Sequence, residues 1–147
     1  MDIKLKLDKE GYNCFENDYN NSFCDEVKEF MDEYNGENIE NLYGDTEKRI
    51  WDANLRCSLI EKYKKECDEQ ISDIYNVKIE SKTILALKNI PIPKDGTQIK
   101  GRWHIDSFRK QVKKFTFLSD VQLENGPFEF IPGSHLEHHK KKQAIRG

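Results

Sequence analysis

Apolar residues along this chain change their spacing once, from three or four apart to every second position, and the change falls near Asn76. Before it, Phe23, Val27, Phe30, Met31 and Tyr34 mark one face of a helix. Ser22 with Asp25 three residues on resembles a capping box, and Gly36 supplies the stop. A second, longer helical region opens at Asp45 or Thr46. Its apolar positions are Ile50, Trp51, Leu55, Leu59, Ile60, Tyr63, Cys67, Ile71, Ile74 and Tyr75. Both stripes read as faces packed on a sheet rather than as grooves for a ligand, with Trp51 in the core. Glu61, Lys62, Lys64, Lys65, Glu66 and Glu69 read as the solvated side of the second helix. Ahead of the first helix, Met1 to Leu7 reads as a short edge strand and Asp8 to Asn21 as a polar loop; Asn35 to Asp45 reads as another loop.

Beyond Asn76 the alternation predicts strands at Val77 to Ile79, Thr83 to Leu87, Gln98 to Ile105, Val112 to Leu118 and Pro127 to Ile131. The loop Ile90-Pro91-Ile92-Pro93 with Lys94-Asp95-Gly96 interrupts them, and Asn125-Gly126 is the strongest hairpin signal. Helices first and strands later favour an α+β fold, with helices backing a mainly antiparallel sheet. The expected organisation is one domain over 1–147, with a mainly helical support region at 1–76 and a β-rich part at 77–147. If Phe115 and Phe117 face inward, Lys113 shares their face.

A length of 147 residues suits one domain with its own core and is short for two. The chain is polar, 36% hydrophobic against 35% charged, yet its 8 Phe, 6 Tyr and 2 Trp are more bulk than disordered chains carry, so a folded protein is expected. Twenty-four basic and 27 acidic residues leave a net charge of −3, with the signs interleaved, which argues against a nucleic-acid groove. Cys14, Cys24, Cys57 and Cys67 show no zinc-site spacing and read as buried or inert thiols. The N-terminus has no apolar signal core, and no stretch reaches the ~20 apolar residues of a membrane span. A cytoplasmic protein with no membrane partner is the expectation.

Candidate chemistry begins at Trp103-His104-Ile105-Asp106. On a strand, residues i and i+2 project from one face, so His104 and Asp106 converge while Ile105 points away. A His and a carboxylate completed by a second His form the facial triad that holds Fe(II) with open positions. The tripeptide alone is weak evidence, since a His and an Asp in a polar loop more often bond to nearby backbone. Trp103, beside the pair, is placed to wall a site. Its context strengthens it: Phe117-Leu118-Ser119-Asp120-Val121 follows, then Asn125-Gly126-Pro127-Phe128-Glu129-Phe130-Ile131-Pro132-Gly133-Ser134-His135.

Together these motifs, over roughly the last third of the chain, resemble the core of the phytanoyl-CoA dioxygenase family of Fe(II)- and 2-oxoglutarate-dependent oxygenases. The resemblance implies a double-stranded β-helix of the jelly-roll or cupin type. It also implies iron held by His104 and Asp106, and hydroxylation of a small molecule coupled to oxidative decarboxylation of 2-oxoglutarate by O2. Some oxygenases of this fold bind 2-oxoglutarate through a Lys in the region of Lys113. A lysine whose stem packs while its head meets solvent is the plainer reading of that residue. The family's second His and its carboxylate-binding Arg lie on strands past Pro132-Gly133-Ser134-His135, so the β-helix and its site are expected to be incomplete at the C-terminus of this chain. His135 resembles a loop element rather than the distal ligand, and His138-His139 sits in a basic run that reads as solvated. The resulting expectations are an oxygenase fragment, inactive as it stands, that self-associates or takes missing strands from a partner. The alternative is a β-scaffold that binds or builds without metal chemistry.

Overall fold

The computed structural model describes residues 2–15, 19–42, 45–89, 104, 106, 111–125 and 127–136. Its elements are α1 (Ile3–Glu10), α2 (Asn21–Glu33), β1 (Ile39–Leu42), β2 (Glu47–Ile50), α3 (Ser58–Tyr75) and β3 (Ala86–Asn89), with short 3-10 turns at Ala53–Leu55 and Leu123–Asn125. The strands form one antiparallel open sheet in the order β1-β2-β3. The fold is thus a mixture of helix and sheet, and the described residues do not form a double-stranded β-helix.

Several local expectations are corrected. The predicted edge strand at the N-terminus is helix α1, because the Asp2 side chain accepts from the Lys4 amide and caps it, and Gly11 at φ 85 closes it. For α2 the cap is Asn20, which accepts from the Phe23 amide at 2.9 Å, while Ser22 bonds Glu26 instead. The second helical region begins later than its apolar spacing suggests. Glu47–Ile50 is a strand because it pairs on both sides, Ile50 with Ile39 and with Ala86. A left-handed turn at Asp52 then redirects the chain into α3. Trp51 lies on that turn, partly exposed, its indole donating to Glu40, so it is not core. The expected strands at 77–79 and 83–87 reduce to β3, and the described residues of those expected at 112–118 and 127–131 lie outside the three-stranded sheet and form no strand. The interval 90–103, with its expected loop and most of a strand, lies outside the described residues, as do Gly126, His138, His139 and Arg146.

The core sits where α2 and α3 meet one face of the sheet. Val27 and Met31 of α2, Ile50 of β2, Ala53, Ile60 of α3 and Ala86 of β3 form its buried cluster, and Ile50 is fully enclosed. Leu118 packs against the same cluster, which brings the 111–118 segment onto the fold. The end of α2 has no basic residue of its own. Lys48 of β2 supplies the charge, donating to the carbonyls of Met31 at 2.6 Å and Tyr34 at 2.8 Å. The four cysteines are free, Cys24 and Cys67 buried, Cys14 exposed. No helix among the described residues is long and apolar enough to cross a membrane.

Candidate metal centre

The segment 111–118 alternates as a strand does, and the alternation decides what reaches the site. Lys114, Thr116 and Leu118 are half-buried and turn toward the body of the protein, while Lys113, Phe115 and Phe117 are exposed on the other side. The inner set is anchored to α3. Thr116 Oγ1 lies 2.6 Å from the Tyr63 hydroxyl, and Lys114 donates to Gln70 at 2.7 Å with its ammonium 5.7 Å from the centre of the Tyr63 ring. Burial, and then a hydrogen bond with Cys67, push the Tyr63 phenol well above its usual range, so it stays protonated. Lys113, Phe115 and Phe117 therefore share a face, as the spacing predicts, but that face is open rather than inward.

On this open face His104 and Asp106 come together. His104 Nε2 stands 3.0 Å from Asp106 Oδ1, and Lys113 Nζ stands 2.5 Å from Asp106 Oδ2. One carboxylate thus holds both the imidazole and the ammonium, one on each oxygen. The hydrogen bond from Lys113 is the main reason that the Asp106 carboxyl is held below the usual carboxylate range, with the charge of Lys113 and the contact to His104 adding to it against a smaller effect of burial. Phe115 continues the face and meets Phe128 at 5.0 Å between ring centres. Trp103 and Ile105 lie outside the described residues.

His135 lies away from this pair. Its Nε2 is 3.2 Å from the carbonyl of Asp8, on α1. Among the described residues no group of three or more His, Cys, Asp or Glu gathers into a metal set. Sequence reasoning paired His104 with Asp106 and set Lys113 beside Phe115 and Phe117, but it did not join the two groups and so missed Lys113 as the partner of Asp106. It also missed the contacts of Tyr63 with Thr116 and of Tyr12 with Phe130, which join residues 53 and 118 positions apart. No local signal marks pairs so distant.

The described residues thus combine a helix-backed antiparallel sheet with a His104 and Asp106 pair that meets outside that sheet. The model of the phytanoyl-CoA dioxygenase family matches residues 7–146, and the chain belongs to that family. Membership gives it, at the level of the family, the character of an Fe(II)/2-oxoglutarate-type oxygenase. No curated protein and no solved structure gives a significant match.

Proposed function

We propose that this chain carries the His-x-Asp half of an Fe(II) site of a 2-oxoglutarate-dependent hydroxylase acting on a small molecule, with the double-stranded β-helix of its family. The observation that carries the reading is the meeting of His104 and Asp106. Two donors each about 2.1 Å from one ion and at a right angle to each other stand about 3 Å apart. The 3.0 Å between His104 Nε2 and Asp106 Oδ1 fits that spacing. Bound there, iron would supply activation of O2 coupled to decarboxylation of 2-oxoglutarate to succinate.

The chain's own residues contribute the rest. Lys113 keeps Asp106 ionised, the form a metal needs. Its ammonium is also the nearest described cation able to meet a carboxylate of the cosubstrate, so Lys113 takes that second role in this reading. Phe115, Phe117 and Phe128 give the face an apolar flank against which a small organic substrate can rest. The rival is a metal-free binding or structural scaffold, and it too has an observation in its favour: both oxygens of Asp106 already have partners.

Anaerobic titration with Fe(II) or Mn(II) separates the two. Wild type should bind one ion per chain, and His104→Ala and Asp106→Ala should each bind more weakly. Equal binding by all three proteins refutes the site, and a folded chain that takes up no metal favours the scaffold.

A further inference from the structure

The motif Pro132-Gly133-Ser134-His135 plays no part in the metal site, and the structure gives it a different place. Helix α1 ends with carbonyls that have no partner inside the helix. The amide of Gly11 satisfies Leu7 at 2.9 Å. The amide of Gly133 satisfies Glu10 at 2.7 Å, and His135 Nε2 meets the Asp8 carbonyl at 3.2 Å. Two of the open carbonyls of α1 are therefore closed by a turn more than a hundred residues away.

The fit is tight. A carbonyl only accepts, so Nε2 is the donor of this contact, and Nδ1 is the other ring nitrogen. That nitrogen is buried without a hydrogen-bond partner, and it lies against Gly11: a Cβ there would come within 2.5 Å of Nδ1 and 3.0 Å of the Phe130 ring. Gly11 is thus required twice, by its positive φ of 85 and by the imidazole seated on it. The adjoining residues extend the contact, with Phe130 against Tyr12 at 5.6 Å. Two residues earlier on the same segment, Phe128 packs on Phe115, and Phe115 is two residues from Lys113 on the face that holds Asp106.

We propose that His135 is a positioning residue, a clasp on the end of α1 that holds the 127–136 segment in place and, through Phe128 on Phe115, sets the Lys113 and Asp106 pair. The clasp stands on its own contacts; its consequence for metal rests on the function proposed above. His135 touches neither metal donor and acts only through the segment it anchors.

The test uses the full chain as wild type, His135→Ala, His135→Gln and Gly11→Ala. Gln offers an amide N–H with about the reach of Nε2, so it keeps the donor without the ring. Amide exchange at Gly133 is measured by NMR, together with the cross-peak between the Phe115 and Phe128 rings, and Mn(II) affinity is measured in parallel. Exchange at Gly133 should speed up about fivefold to tenfold in His135→Ala, the loss expected for one hydrogen bond. The ring cross-peak and Mn(II) affinity should weaken with it, Gly11→Ala should act alike, and His135→Gln should restore all of them. Unchanged exchange in His135→Ala overturns the clasp, and faster exchange with an intact ring cross-peak overturns the positioning role. If wild type binds no Mn(II), the metal reading fails, and the exchange and ring signals still decide the clasp. Equal damage from Ala and Gln, with a matching fall in the urea midpoint, shows a bulk packing role and also overturns it.

Discussion

Replacing Phe128 with Asp tests where the real core of this protein lies. Phe128 is 58% exposed and touches Phe115, whereas Ile50 is fully enclosed among Val27, Met31, Ala53, Ile60 and Ala86. A phenylalanine offers about 200 Å² for burial, so the covered part of Phe128 is roughly 80 Å², worth about 2 kcal/mol at ~25 cal/mol per Å². That value is an upper bound, because an unfolded chain already hides part of its apolar surface. Ile50→Ala removes fewer atoms, yet it opens a cavity in a closed cluster and should cost about 2–5 kcal/mol. Against the ~5–15 kcal/mol of an ordinary domain, the first change is tolerable and the second can empty the native state. Urea unfolding followed by circular dichroism should show the smaller substitution to be the more damaging. Light scattering should show less association for Phe128→Asp, since Phe115, Phe117 and Phe128 are the exposed aromatics of that face and such surfaces associate. If Phe128→Asp abolishes cooperative unfolding while Ile50→Ala leaves it intact, the aromatic face is the core and this assignment of burial is wrong.

Asp68 gives a pH dependence. Burial alone would raise its carboxyl, but hydrogen bonds from Lys64 and Ser81 outweigh that and hold it low. A depressed folded value means stabilisation that is present above the unfolded carboxylate range and lost as pH falls through the folded value, so Asp68→Asn should flatten the acid limb of a plot of urea midpoint against pH. An acid limb identical to wild type would count against the network. Removing the α2 cap by Asn20→Ala should lower stability by about 1 kcal/mol, read as a shift in the urea midpoint. A two-donor set holds a metal weakly, so purified protein supplied with Fe(II), 2-oxoglutarate and O2 is expected to release little succinate. Sustained, iron-dependent release would point to a third ligand among residues outside those described, with His138 and His139 the first to substitute.

Local patterning determined a good deal of this protein. The stripe of α2, the part of the second stripe from Leu59 to Tyr75 and the shared face of Lys113, Phe115 and Phe117 follow from spacing, because periods of 3.6 and 2 set which side chains point together. Lys64, read as solvated, is instead largely covered beside Asp68. The motifs around His104 and Asp106 were enough to reach the family. Tertiary structure decided the rest. Glu47–Ile50 looks like the start of a helix until β1 and β3 pair with it on both sides, and strand pairing depends on neighbours that a linear pattern does not contain. The open side of the aromatic face, the ammonium of Lys113 on Asp106 and the seat of His135 on Gly11 are likewise set by segments far apart in the chain. A sequence shows which residues share a face; only packing determines what that face meets.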